Sequence, residues 1–383
     1  MSKHSPTTRR RLVALAAALL TLLSAGAAWA VFSTTTSSPQ SSFSANADMR
    51  APVVVRAVGA RSDGNGTAGD VRQGTGYYIY AQVTDAGSPS SGIASVTTDT
   101  STFDTGVTAA ALSSAGGPWT VNALSYNYRT AVLTANTPIT TGSTPAYTIS
   151  AADTATNSVL ATGYNVTIET YASVINATSG VVSYWRLGES SGTTATDGPG
   201  VNNGTYTGGY TLSVAGALAG DSDKAVTFNG TTGYVSIGNP AILQVGTGSL
   251  EAWINTANAG TSWRDILSKD KAYTSLLKAN ILGTYDYNAG ADRATTLDPT
   301  DSVWHHIVVT FQSGVTNGTK VYSDGVLQLT TIITVNAQTG NVIIGSWKGT
   351  GEFFTGTIDE VAIYNSVLSG TTITDHYVSG HGS

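Results

Sequence analysis

Cysteine is absent from all 383 residues, which removes disulfide staples, thiol nucleophiles and cysteine metal sites in one step. Charge is scarce too, since Asp, Glu, Lys and Arg make up 11% of the chain and the net charge is −6. Nothing in that balance neutralises a run of phosphates, so a nucleic-acid partner is excluded and a neutral or uncharged one is expected. Beyond residue 30 no helical stripe of useful length is found, because Gly and β-branched residues interrupt every candidate window. His-Glu-x-x-His, Gly-x-Ser-x-Gly and a phosphate-cradling glycine loop are also missing, which leaves metalloprotease, serine hydrolase and nucleotide-enzyme chemistry without a motif. Stability then has to come from apolar burial, sheet pairing and, where oxygen ligands converge, a hard cation.

What is present begins with an export signal. Lys3, Arg9, Arg10 and Arg11 form a basic region, Leu12 to Leu23 an apolar one, and Ala28-Trp29-Ala30 a small-residue cleavage signature, so residues 1–30 are expected to be a signal peptide. The apolar run falls short of the roughly 20 residues that span a bilayer, and membrane attachment is expected only through an uncleaved signal. Thr8-Arg9-Arg10-Arg11-Leu12-Val13 also matches a twin-arginine pattern, a weak signal because basic leaders often pair arginines. Gly26-Ala27-Ala28-Trp29-Ala30-Val31-Phe32, with the Ser/Thr tract to Phe43, is similar to the export signals of biofilm-matrix fibre proteins. That resemblance implies a specialised signal peptidase and a fibre-forming or surface role. Residues 31–48 have little to bury and are expected to be flexible. No sorting motif or apolar segment follows the last expected strand, so surface attachment is expected to be non-covalent or N-terminal.

A chain of 383 residues exceeds what one core usually organises, and two folded domains are expected. Val53–Val58, Tyr77–Val83, Ile93–Val96, Ala131–Leu133, Tyr147–Ser150 and Tyr164–Ile168 all read as strands by β-branched and aromatic enrichment. About seven short strands in such a span is the pattern of a sandwich. Val83-Thr84-Asp85 and Ala151-Ala152-Asp153-Thr154-Ala155-Thr156-Asn157 are similar to bacterial Ig-like modules, which implies an Ig-like β-sandwich over residues 49–171. Asn-Gly-Thr at Asn65, Asn203, Asn229 and Asn317 reads as hairpin turn chemistry, since a type I′ turn needs two positive φ angles. The junction near Ala172 to Ser179 has no Pro or Gly run and predicts a short, stiff connection.

Over residues 172–383 a series of phrases recurs in a family's order: Tyr184-Trp185-Arg186-Leu187-Gly188-Glu189, Ala225–Gly230, Ser249–Ile254, Trp304–Thr310, Tyr322–Leu327 and Gly356–Tyr364. This order resembles the laminin-G-like, concanavalin A-like jelly-roll family, and the resulting expectation is an all-β chain, an Ig-like sandwich followed by a jelly roll. The family includes lectins, adhesion modules, pentraxins and glycan-cleaving enzymes, so function has to be argued from the site. The resemblance also implies a structural calcium, with Asp197 and Asp359 supplying carboxylates and Asn203 and the Asn229-Gly230 turn supplying carbonyls. An Asx turn at Asp197 and backbone capping by Asp359 are the open alternative.

Catalytic residues are not expected. Glucan-cleaving relatives need two carboxylates on one strand face, and Asp359 and Glu360 are adjacent, which in a regular strand sends them to opposite faces. Glu251 is alone on its strand. His305-His306 divides in the same way, with one ring packed and the other exposed. Trp185, Trp253 and Trp304 lie in apolar strands and read as core. Trp263, Tyr285, Tyr287 and Trp347 lie among Gly, Asn, Asp and Ser, with Arg264 beside the first, and this is the mixture a neutral sugar needs; the same rings would equally serve to cap the sandwich ends. The expected function is therefore an exported surface or matrix protein whose jelly roll binds a glycan or a surface protein. A fibre subunit that self-assembles by strand addition is the alternative, and a glycan hydrolase is disfavoured.

Overall fold

The structure is a computed structural model that describes residues 48–381 apart from 65, 66, 86, 199, 261 and 337. The expected signal peptide (residues 1–30), residues 31–47 and the turn expected at Asn65 lie outside the described residues.

Alternation of apolar and polar residues builds the first half. In Ala146–Asp153, Tyr147, Ile149, Ala151 and Asp153 are buried while their neighbours are not, as a strand with one wet face requires. Seven strands follow one another in a single hydrogen-bonded path, ordered Val53–Arg61, Gly76–Thr84, Tyr128–Thr130, Ala110–Ser113, Ile93–Asp99, Ala146–Asp153, Ser158–Asn165. The path curls until its first strand lies against its last, enclosing a core that includes Tyr77, Ile79, Phe103, Tyr147 and Ile149. The strand expected at Ala131–Leu133 is displaced, with Tyr128–Thr130 pairing before it and Leu133–Thr134 after it.

The second half is a two-layer jelly roll. One sheet runs Tyr210–Ala215, Lys224–Asn229, Thr355–Tyr364, Thr247–Ala257, Asp301–Gln312, Thr319–Ser323, Val326–Thr331, with Val181–Trp185 also paired to Thr355–Tyr364. The other runs Thr194–Ala195, Gly204–Thr207, Tyr234–Gly238, Val342–Ile344, Trp263–Lys269, Tyr273–Lys278, Ile281–Asp286, Ala291–Ala294. Leu250, Ala252 and Ile254 from the first sheet meet Ile266, Leu277 and Leu282 from the second in a shared core.

Hairpin chemistry departs from expectation. None of the three described Asn-Gly pairs has both φ angles positive; within them only Gly230 (73°) and Asn317 (59°) are positive. Asn229 Oδ1 instead collects the N–H groups of Thr231, Thr232 and Gly233 at 3.0 to 3.1 Å, so its side chain closes the turn. Among the described residues, both φ angles are positive in the turns at Asn122-Ala123, Ala279-Asn280, Asp324-Gly325 and Lys348-Gly349, as type I′ geometry demands.

The described residues are nearly all strand and loop, as expected, with two short α-helices added. Helix α1, Tyr171–Ala177, occupies the expected plain connection, with Thr170 and Ser173 forming a reciprocal cap. Helix α2, Gly370–His381, replaces the expected polar tail. Ser369 starts it, its Oγ accepting from Thr372 N at 3.0 Å. The buried stripe of α2 is Ile373, His376, Ser379 and Gly380; it has helical spacing but a single strong hydrophobe, so apolar periodicity gave no signal. Both helices cover the outer face of the sheet that carries Trp253, Tyr184 and Tyr364. Trp253 is fully buried there, outside the sandwich interior, and Trp304 is half-buried at its margin.

Beneath the helices lies a polar knot. Glu251, on the strand face opposite Leu250, accepts from Tyr171 at 2.6 Å and Tyr364 at 2.7 Å, and meets His306 Nε2 at 2.7 Å and His376 Nδ1 at 3.0 Å. Burial pushes its carboxyl up, but the charge and hydrogen bonds of His376 and His306 outweigh that and hold it well below the usual range. His306 is thus packed and His305 is at the margin, paired with Asp324 at 2.7 Å. Contacts also cross between the halves: Gln73 Nε2 donates to Ala219 O at 2.9 Å and Ser379 O at 3.2 Å, and Arg72 Nη1 donates to Asp375 O at 3.4 Å.

Candidate functional site

Four of the five residues expected at a binding rim converge. Trp263 opens the strand Trp263–Lys269, Tyr285 lies in Ile281–Asp286, Tyr287 follows it, and Trp347 sits in the turn after Val342–Ile344. All four line a cavity of about 580 Å³. Asp265 pairs with Leu276 and Leu276 with Gly283 across adjacent strands, so they share a face, and Tyr285, two residues past Gly283, points the same way. This face is turned away from the sandwich core, which takes Leu277 and Leu282 from the same strands. Trp263 meets Tyr285 edge-on at 5.6 Å, and Tyr285 meets Tyr287 edge-on at 5.0 Å, a geometry ring quadrupoles favour.

Arg264 does not join them. Adjacent to Trp263 in the strand, it points to the other face and is 2% exposed. Its Nη1 donates to Thr256 Oγ1 and its Nη2 to Asn280 Oδ1, both at 2.8 Å, so it anchors the Ala279-Asn280 turn.

Charged groups that sequence reasoning did not single out complete the wall: Asp270, Lys271, Lys348 and Glu352. Lys348, followed by Gly349 at φ 70°, and Glu352 have left-handed backbone, with φ of 58° and 53°; at Glu352 no glycine marks the conformation in the sequence. Lys348 Nζ lies 4.2 Å over Trp347 and 3.0 Å from Asp270. Lys278 Nζ lies 4.4 Å over Trp263 and pairs with Asp292.

Behind Glu352 lies Asp265, 1% exposed, with no aligned donor on either carboxyl oxygen. Ser268, its hydroxyl neighbour, donates to Ser346 O at 2.9 Å, and Thr274 Oγ1 is itself unpartnered. The Glu352 carboxyl is within hydrogen-bonding range. Burial, then Glu352, pushes Asp265 well above the usual carboxylate range, and burial raises Glu352. Two carboxyls in contact hold one proton between them.

The expected calcium ligands separate into two sets. Asp197 Oδ1 accepts from Tyr184 N at 2.9 Å, its Oδ2 accepts from Asn202 N at 3.0 Å and Ser183 Oγ at 3.1 Å, and Asn203 Oδ1 accepts from Asp197 N at 2.9 Å. This loop is closed on itself, and Asp197 and Asn203 do not fit a metal. Asp359 does. Its Oδ2 accepts from Ala217 N at 2.8 Å, its Oδ1 is buried without a donor, and it gathers with Asp223 and Glu360 inside 4.8 Å. A Cβ on Gly188 would come within 2.2 Å of Asp223 Oδ1, so glycine keeps that pocket open.

Asp359 and Glu360 do not diverge as regular alternation predicts. A register shift on the adjoining strand and φ of 52° at Glu360 mark a bulge that puts both carboxylates on the outer face. Both are 0% exposed, and burial holds both well above the usual range. Arg186 lies 3.0 Å from Asp221, from Asp223 and from Glu360, one cation among four acids; its contact with Asp223 lacks hydrogen-bond alignment. A second acidic group, Asp48, Asp85 and Asp153, also lies inside 4.8 Å, with carboxylates taken up by N–H donors such as Gly92 and Asn157. Among the described residues no helix is long and apolar enough to cross a membrane.

A two-layer antiparallel jelly roll with an aromatic cavity on one outer face defines a β-sandwich of the lectin type in architecture. Residues 229–374 match the family model of the concanavalin A-like lectin/glucanases superfamily, and the C-terminal half is a laminin-G-like jelly roll of that superfamily. No curated protein matches the chain. Among solved structures it is similar to the binding domain of Paraclostridial mosquitocidal protein 1 (14% identity, 54% of this chain and 53% of that one, TM-score 0.42). It is also similar to the receptor binding domain of botulinum neurotoxin C/D mosaic serotype (13%, 52% and 51%, TM-score 0.40). A third is Trypanosoma rangeli sialidase in complex with sialic acid (15%, 61% and 42%, TM-score 0.41). The chain thus spans about half the length of the first two structures and 42% of the sialidase.

Proposed function

We propose that this is an exported surface or matrix protein whose jelly roll binds a glycan in the cavity formed by Trp263, Tyr285, Tyr287 and Trp347, with the first half as a spacer of Ig-like type. The carrying observation is the convergence of four half-buried rings from separate strands and turns on one cavity of about 580 Å³, a size within the usual range for ligand sites. Ring faces take sugar C–H groups, while Asn336, Asp270 and Glu352 bind hydroxyls. A glycan array probed with the full chain should give a defined set of hits. Trp347→Ala and Trp263→Ala should each weaken those hits about fivefold or more, since a lost ring contact is worth roughly 1 kcal/mol or more. Hits unchanged in both variants would remove the cavity from the reading. Silence across the array, with polymers that vanish on deleting residues 31–48, would replace it with a fibre subunit.

Calcium as a structural cofactor is the companion proposal, favoured by the unpartnered Oδ1 of Asp359. Asp359, Asp223 and Glu360 would hold the ion, which would supply the positive charge that Arg186 alone does not. The full chain should melt higher in millimolar calcium than in chelator, and Asp359→Asn should abolish that difference. A difference that survives Asp359→Asn but is lost in Asp153→Asn would move the ion to the first half.

A further inference from the structure

Building on the reading of the cavity as a glycan site, we propose that its glycan carries a free primary amine, as a de-N-acetylated hexosamine does, with the ammonium held by the Asp265–Glu352 carboxyls beside the aromatic rings. Charge matching around the cavity leads there. Asp270 is matched by Lys348, and Asp292 by Lys278. Lys271 is exposed at the mouth. Among the described residues Glu352 makes no ion pair, and both Asp265 oxygens lack an aligned donor although the residue is 1% exposed.

Buried acceptors without donors are costly, and a carboxyl pair that keeps one negative charge is more so. A ligand ammonium brings three N–H donors and the missing charge together. The rings suit it as well. The chain already places ammonium groups 4.2 Å over Trp347 and 4.4 Å over Trp263, well within the reach at which an aromatic face attracts a cation. A neutral hydroxyl satisfies one oxygen and leaves the charge. An acidic sugar meets like charge from Glu352, and N-acetylation removes the ammonium. Tyr285, Tyr287, Asp270, Lys271 and Lys348 line the cavity around the pair, Asp292 acts on Glu352, and Ser268 and Thr274 adjoin Asp265; among the described residues none of them forms an ion pair with either carboxyl.

The test is titration calorimetry of the full chain with a glucosamine hexamer, the same hexamer N-acetylated, and a glucose hexamer, at one pH and physiological salt. The amine hexamer is expected to bind at least tenfold more tightly than the other two. Glu352→Gln and Asp265→Asn, each shown to be folded by near-UV circular dichroism, are expected to erase that preference, and Trp347→Ala to weaken the amine hexamer. Equal binding of all three sugars that still depends on Trp347 would overturn the amine and leave the glycan site standing. A preference that survives both carboxyl variants would overturn the seat assigned to the ammonium. Binding of none would overturn the amine together with the hexose site beneath it.

Discussion

Ending the chain at Ser369 should lower the melting temperature by about 10 to 20 °C or abolish cooperative unfolding, even though the segment removed is mostly polar. Helix α2 covers the outer face of the sheet, and its loss exposes Trp253, Tyr364 and Leu218 to water. Removing the buried Ile373 contact costs about 2 to 4 kcal/mol by analogy with large-to-small core changes. Losing His376 leaves Glu251 short of one of its two imidazole partners at full burial, a break of the kind that costs about 3 to 5 kcal/mol. Each kcal/mol moves the melting point of a domain this size by roughly 2 to 4 °C. Calorimetry of the truncated chain reads the effect directly. A melt matching that of the full chain would mean that α2 contributes nothing to the fold.

Glu251→Gln should be the most damaging of the conservative single substitutions, at about 3 kcal/mol or more at neutral pH, because the amide has one acceptor oxygen where the carboxylate offers two to Tyr171, Tyr364, His306 and His376. The pH dependence has a definite sign. The carboxyl of Glu251 is held well below its ordinary value near 4.5 in the folded state, so the unfolded chain binds its proton first. Its contribution is therefore complete above about pH 4.5 and is lost as pH falls towards the folded value. The gap between wild type and Glu251→Gln in urea titrations should be widest near pH 7 and close steadily below pH 4.5. A gap independent of pH would mean that the charge of Glu251 does not matter. Asp265, Asp359 and Glu360 have the opposite sign, since their raised values favour the folded state in acid and oppose it as pH rises.

The jelly roll was legible because its strands carry their own signature. Leu250, Ala252 and Ile254 alternate with Glu251 and Trp253, and Asp324-Gly325 marks a hairpin with both φ angles positive. The aromatic site was legible for a related reason: rings set among Gly, Asn and Asp have no core to enter, and Trp263, Tyr285, Tyr287 and Trp347 do meet around one cavity. What sequence did not reveal depends on departures from regular geometry. A bulge turns Glu360 towards Asp359, left-handed backbone aims Glu352 and Lys348 at the cavity, and strand alternation takes Arg264 away from it. Helix α2 packs through His376 and Gly380, where a Cβ on Gly380 would come within 2.6 Å of Trp253. Close approach needs small residues, and small residues leave no apolar stripe. Glu251 stands alone on its strand in the sequence because its partners come from four other segments, joined only by the fold.

The most direct test of the glycan site is a crystal structure of the full chain soaked with the tightest-binding oligosaccharide from the array. A sugar ring stacked on Trp263 or Trp347, with a polar group within hydrogen-bond distance of Glu352, is the predicted result. A sugar bound elsewhere on the chain, with the cavity holding only water, would contradict it.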